Sequence, residues 1–267
     1  MNIWDLFKLD GKVAFVTGGA RNLGYDMAVA LAEAGADVAI TSRTLANAEA
    51  SCRKITDATG RATLPVELDV RDEQQVIAAV DKVLEGFGKI DILINNAGNV
   101  TSTPDNAPFE KRPLELWQET IDVNLTGVFL CSKHVVAKAM KPAGSGAIIN
   151  IGSIAGMVGK DRRIYEGTGK GGTTLDYHAA KAGVLTMTKD MAVYLAPDGI
   201  RVNSISPGRF RRDQSEKFVK ACEKMIPMGR LGQEGKELKG VALFLASEAS
   251  SYVTGANIVV DGGRTAW

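Results

Sequence analysis

The chain has 267 residues, with 32 Lys and Arg against 31 Asp and Glu for a net charge of +1. Its 45% apolar and 24% charged residues exclude disordered and collagen-like classes, and the balanced charge argues against a dedicated nucleic-acid binder. No apolar run reaches the ~18–20 residues of a membrane span, Met1–Asp10 lacks the basic-then-apolar pattern of a leader, and Cys52, Cys131 and Cys222 are odd in number and far apart, so a cytoplasmic chain without disulfides or a metal site is expected.

Short apolar runs alternate with helix-period segments. Residues 12–17 (KVAFVT) read as a strand covered on both faces, followed by a helix over 22–33. Further strands are expected over 37–41, 62–67, 90–94, 147–151, 201–205 and 257–260. Helices are expected over 45–59, 73–87, 114–140, 175–195 and 236–246. Seven strands separated by helices predict a single α/β domain over 1–267, a doubly wound parallel sheet with helices on both faces. One segment breaks the rhythm. Residues 156–174 (GMVGKDRRIYEGTGKGGTT) contain six glycines and no clear period. A loop of that length inside a compact domain tends to be functional or mobile.

The first strand runs through Thr17, Gly18, Gly19, Ala20, Arg21, Asn22, Leu23 and Gly24 straight into a helix. A strand, a glycine-rich turn and a helix N-terminus make an anion site, with backbone N–H groups and the helix dipole aimed at a diphosphate. A plain β–α turn is the structural alternative. Asn22 breaks the glycine pattern, but Asn tolerates left-handed geometry better than other non-glycine residues. For the cofactor, an Asp or Glu at the end of the second strand would favour NAD by binding the ribose 2′-hydroxyl. Here that strand ends in Thr41, Ser42 and Arg43, and the next acid is Glu49. A hydroxyl and a guanidinium suit a 2′-phosphate instead, so NADP(H) is expected, with NAD(H) the lesser alternative.

Tyr177 and Lys181 are four residues apart and share a helix face. A free phenol, with a pKa of ~10, is a poor acid or base at neutral pH. An ammonium ~4 Å away contributes roughly 4 kcal/mol at an effective dielectric of ~20, enough to lower the phenol by up to about three units. A surface lysine on an amphipathic helix is the bland alternative. Position favours the chemical reading, because Ser153 ends the fifth strand where open α/β sheets place ligands. Tyr165 has Gly169 rather than lysine four residues on.

These motifs together resemble the short-chain dehydrogenase/reductase family over nearly the full chain. The Thr17–Gly24 turn resembles its TGxxxGxG motif, with Asn22 at the middle glycine. Asp69 and Val70 follow the third strand, where the family contacts adenine. Asn95, Asn96, Ala97 and Gly98 match its NNAG motif, Pro207 and Gly208 its turn after the sixth strand, and Asp261-Gly262-Gly263 its C-terminal motif. Arg21 stands where NADP-preferring members often carry a basic residue. Asn124, Ser153, Tyr177 and Lys181 fall on the catalytic tetrad. The resemblance implies a Rossmann fold and a homotetramer formed through the long helices. It also implies a mechanism in which NADPH delivers hydride to a carbonyl and Tyr177 protonates the oxygen. Ser153 orients that oxygen, Lys181 binds the nicotinamide ribose, and Asn124 supports a water-linked relay. Two departures stand out. Ser153 and Tyr177 are 24 positions apart, about twice the common gap, and Arg209-Phe210-Arg211-Arg212 replaces a stretch that often carries a cofactor-binding Thr.

The loops that should border the substrate are basic: Lys160, Arg162, Arg163 and Lys170 in one, Arg209, Arg211 and Arg212 in the other, against Asp161, Glu166 and Asp213. Solvated loop surface is one reading, and attraction of a small anionic carbonyl or alcohol substrate is the other. The chain resembles gluconate 5-dehydrogenase-type members, which points to a sugar acid such as gluconate/5-ketogluconate. The alternatives are a 3-oxoacyl-acyl-carrier-protein reductase and, from another class, a non-catalytic NADP(H)-binding regulator, which would be expected to lose Tyr177 or Lys181.

Overall fold

Each central strand has apolar residues on both sides, and the architecture buries both. In the computed structural model, which describes residues 2–99, 109–166 and 172–267, strands β1 (Val13–Val16), β2 (Asp37–Ser42), β3 (Thr63–Glu67), β4 (Ile92–Asn95), β5 (Gly146–Ile151), β6 (Ile200–Pro207) and β7 (Asn257–Val260) form one sheet in the order β3-β2-β1-β4-β5-β6-β7. Every pairing is parallel. Alternate residues of one strand enter different cores. Ala14, Val16, Ile94 and Ile149 join Met27 and Leu31 of helix α1 (Asn22–Glu33) and Leu245 of α9 (Lys239–Ala246). Phe15, Leu93 and Ile148 join Val80 of α3 (Glu73–Phe87) and Cys131 of α5 (Gly127–Val135) on the opposite face. Burying both faces is what makes these strands read as near-continuous apolar runs.

Helix α2 (Leu45–Thr59) stops at Gly60 and α3 at Gly88, both left-handed. The expected helix over 114–140 is α4 (Leu114–Ile121), α5 and α6 (Lys141–Ala143), with π-helical turns at Asp122–Thr126 and Val136–Met140 between them. Helix α7 (Leu175–Leu195) has the expected bounds. Helix α8 (Glu216–Glu223) is an addition. Its residues follow a basic loop and half of them are charged, and only Phe218, Val219 and Cys222 are buried. They pack on Ile164 and Tyr165 of the glycine-rich insertion, with Ile226 and Leu231, as a third, separate small core. Among the described residues, no helix is long and apolar enough to cross a membrane.

Candidate active site

The C-terminal ends of β1, β4, β5 and β6 converge on one edge of the sheet. After β1 the chain turns through Gly18, whose N–H donates to Thr41 Oγ1 at 3.0 Å. Asn22 takes the left-handed conformation with φ 51°, the only non-glycine residue to do so among the described residues, so the expected tolerance of Asn is used here. Gly24 is required by contact. A Cβ there would lie 2.3 Å from Asn96 Nδ2 and 2.5 Å from the Gly18 carbonyl. Asn96 is engaged in holding this turn, donating from Nδ2 to the Thr17 and Gly18 carbonyls at 3.0 Å each. Thr17 Oγ1 in turn accepts from the N–H groups of Asn96 and Ala97. The NNAG segment thus fastens the glycine turn from the neighbouring strand.

Arg21 and Arg43 are exposed at the turn and just past β2. Among the described residues, neither makes a side-chain hydrogen bond or ion pair. Ser42 Oγ accepts from the Thr44 N–H. Leu23 packs against the α1 core. Asp69 is fully engaged: Arg71 donates to both carboxylate oxygens, and this hydrogen bonding holds the carboxyl below its usual range. Val70 is buried under Gly127, where a Cβ would lie 2.7 Å from it. Pro207 ends β6, and Gly208 lies so close to Asp261 that a Cβ would meet its Cα at 2.7 Å.

The four candidate catalytic side chains meet beyond β5. Ser153 caps a short turn by accepting from the Ala155 N–H at 3.1 Å and lines one cavity with Tyr177. Lys181 is 3% exposed. Its Nζ donates to the Ile151 carbonyl at 2.7 Å and lies 5.7 Å from the centre of the Tyr177 ring. Asn124 sits in the first π-helical turn, which rotates it off the α-helical path into the interior. Its Nδ2 donates to Asn99 O, Asn99 Oδ1 and Thr120 O, while its buried Oδ1 has no partner among the described residues. That oxygen and Lys181 Nζ lie 2.9 and 3.8 Å from where a Cβ on Gly98 would stand, so glycine keeps the gap between them open.

The electrostatics differ from the expectation that lysine lowers the phenol. Burial raises the Tyr177 phenol above its ordinary value, and the nearby Ser153 hydroxyl only partly offsets it. Burial also pushes Lys181 down to about 8. With Nζ drawn towards the Ile151 carbonyl, desolvation of both groups outweighs their attraction.

Over Ser153 and Tyr177 lies a cavity of about 180 Å³. Its described lining includes Lys160, His178, Arg209 and Arg264 along with Ile154 and Ile226. Two of the seven basic loop residues, Lys160 and Arg209, therefore face it. Arg163, Arg211 and Arg212 instead pair with Asp161, Glu216 and Glu234, Arg162 is exposed, and Lys170 lies outside the described residues. Sequence reasoning missed Arg264 and His178. Both stand beside quoted motifs, after Asp261-Gly262-Gly263 and after Tyr177, but neither position alone signals a cavity.

Residues 18–265 match the family model described as enoyl-(acyl carrier protein) reductase. The chain belongs to the short-chain dehydrogenase/reductase family. A trans-4-hydroxycyclohexanecarboxylate dehydrogenase of Sinomonas cyclohexanicum is 41% identical over 260 residues, 96% of this chain and 93% of that one. A 3-oxoacyl-(acyl-carrier-protein) reductase of Synechocystis sp. is 38% identical over 96% of this chain and 97% of its own. The crystal structure of a gluconate 5-dehydrogenase from Burkholderia cenocepacia in complex with NADP and tartrate superposes with a TM-score of 0.89 at 36% identity, covering 100% of both chains. This short-chain dehydrogenase/reductase is an oxidoreductase, with the Rossmann-type parallel sheet expected of it.

Proposed function

We propose that this enzyme uses NADP(H) to interconvert a carbonyl and a secondary alcohol on a small sugar acid such as gluconate/5-ketogluconate. The observation that carries the reading is that Ser153 and Tyr177 line one cavity with Lys181 buried one turn on. A phenol held above its ordinary pKa is protonated at neutral pH, the form needed to donate a proton. Tyr177 gives that proton to the carbonyl oxygen, and Ser153 orients the same oxygen. Lys181 holds the nicotinamide ribose and, below about pH 8, presents a cation near the phenol. Asn124 Oδ1 accepts at the far end of a relay that refills Tyr177 through Lys181. Bound NADPH supplies the hydride, and its oxidised ring the positive charge that favours phenol ionisation in the reverse direction.

The residues present fit that cofactor. Gly18, Arg21, Asn22, Leu23 and Gly24 form the diphosphate turn, and Asp69, Val70, Asn96, Ala97 and Gly98 line the path along the strand ends. Pro207 and Gly208 close the nicotinamide end. Arg21 and Arg43, with Ser42, offer donors to a 2′-phosphate, and NADP in the Burkholderia neighbour supports this preference. The acids named in two relatives, hydroxycyclohexanecarboxylate and gluconate, support an acidic substrate. The small cavity favours a free acid over an acyl chain on a carrier protein, because ligand sites for larger molecules run to roughly 300–1,000 Å³. Exposed Leu114, Phe129, Val193 and Tyr194 on α4, α5 and α7 support a homotetramer through these helices, and three buried free cysteines support a cytoplasmic setting.

The test is oxidation of NADPH against NADH with 5-ketogluconate and with an acetoacetyl thioester. Preference for NADPH and the keto acid is expected. Arg43→Gln should cut the NADPH preference about tenfold. A wild-type preference for NADH, or for the thioester, overturns the corresponding part of the reading.

A further inference from the structure

The cavity over Ser153 and Tyr177 carries more positive charge than proton transfer needs. Lys160, Arg209 and Arg264 reach it from three elements far apart in sequence: the insertion, the segment after β6 and the turn after β7. Among the described lining residues the one acid is Asp161. Its carboxylate is held by Arg163 through Nε at 2.9 Å and Nη2 at 2.7 Å and also feels the charge of Arg264. Two of the three cations contact the Tyr165 ring. Lys160 Nζ lies 4.5 Å from the centre of the Tyr165 ring and donates to the Thr173 carbonyl at 2.9 Å. The Arg209 guanidinium lies 5.5 Å from the same ring and donates to its hydroxyl at 2.8 Å. Such contacts position a cation without cancelling its charge. The half-buried Arg264 guanidinium has no hydrogen bond or ion pair among the described residues. Gathering like charges costs repulsion. It shows at Lys160, which is pushed down to about 8 by burial and then by Arg162 and Arg209. Three other arginines of the same loops, Arg163, Arg211 and Arg212, instead close on acids of their own.

We infer that Arg264, assisted by Lys160 and Arg209, binds the carboxylate of the substrate, so that a small keto or hydroxy acid lies with its acid group at the C-terminal turn and its carbonyl at Ser153 and Tyr177. A guanidinium matches a carboxylate as a planar, two-pronged donor, and Arg264 is the member of the trio whose fork is not turned to another protein group. The inference rests on the carbonyl-reductase reading above and adds the polarity of substrate binding to it.

The experiment compares 5-ketogluconate with L-sorbose, a neutral ketose of the same carbon number, in wild type, Arg264→Gln, Arg264→Lys and Arg211→Gln, an arginine outside the cavity. Binding of 5-ketogluconate to the enzyme–NADPH complex is measured by calorimetry alongside turnover. Arg264→Gln should raise KM and Kd for 5-ketogluconate about ten- to hundredfold with little change in kcat. The ratio of kcat/KM for the acid over the ketose should fall at least about tenfold, and Arg264→Lys should recover part of it. Arg211→Gln should behave as wild type. Equal losses on both substrates, or an unchanged Kd in Arg264→Gln, overturn the inference and leave the reductase reading standing. If 5-ketogluconate binds the wild type and not Arg264→Gln, but no ketone is reduced, the carboxylate site holds and the reductase reading falls.

Discussion

The floor and the wall of the substrate cavity are built on different footings. The floor, carrying Ser153, Tyr177 and Lys181, belongs to β5 and α7, at the centre of the sheet. Lys181 is tied to the Ile151 carbonyl, and a Cβ on Gly156 would stand 2.7 Å from the Lys181 carbonyl. Asp176, one residue before Tyr177, is fully buried and paired with Arg112. Burial raises its carboxyl, but the nearby Thr120 and Thr174 side chains and the Arg112 guanidinium outweigh this and hold it below its usual range. The wall, carrying Lys160 and Arg209, stands on the small core of Tyr165, Phe218 and their neighbours, separate from both main cores. Its rings do two tasks at once: they close that core and aim the cations. The proposed chemistry is thus anchored to elements that cannot shift without the whole fold, while the proposed recognition sits on a satellite that can be re-cut on its own.

Tyr177→Phe attacks the floor and should have the largest effect. We expect kcat to fall about 10²- to 10⁴-fold with NADPH affinity little changed, as measured by steady-state kinetics and cofactor fluorescence. Two phenylalanines then test the separation of floor and wall. Phe15 is fully buried in a main core, so Phe15→Ala should cost about 3–5 kcal/mol in chemical denaturation. Phe218→Ala should cost clearly less in global unfolding while raising KM for the acid and hastening amide exchange over Ile164–Tyr165 and α8. Equal global losses would show that wall and sheet unfold as one.

A third prediction sharpens the electrostatics of the floor. Lys181 is held down to about 8 by burial, so it is a cation below that pH and neutral above it. Tyr177 stays protonated throughout this range. Carbonyl reduction should therefore decline as pH rises through about 8, as the phenol loses the cation that helps it release its proton. A pH–rate profile for kcat measures this, and a flat alkaline limb would assign Lys181 to ribose binding alone. The smallest effect is expected at the cofactor turn. Asn22→Gly should shift stability by less than about 0.5 kcal/mol, because glycine adopts the same φ freely but loses more chain entropy. Asn22→Val should cost about 1–2 kcal/mol.

Much of this was legible along the chain. The strand and helix order follows from local period, and the bounds of α1, α2, α3 and α7 are those expected. The left-handed Asn22 was foreseeable because that conformational tolerance belongs to the residue itself. Helix α8 was not, since its few apolar residues follow a basic loop and are buried only because the insertion folds back over them. That the Asn96 amide also holds the backbone of the glycine turn was not legible, because only the parallel neighbour strand brings the two together.

Sequence by itself determined the parallel sheet, the dinucleotide turn and the spacing that sets Tyr177 and Lys181 on one helical face, because periodicity and turn chemistry act over a few residues. Tertiary structure alone decided that Arg264, near the end of the chain, shares a cavity with Lys160 and Arg209, and that the phenol is raised rather than lowered. Both depend on burial and on approach through space, which follow from how the sheet and its loops close together.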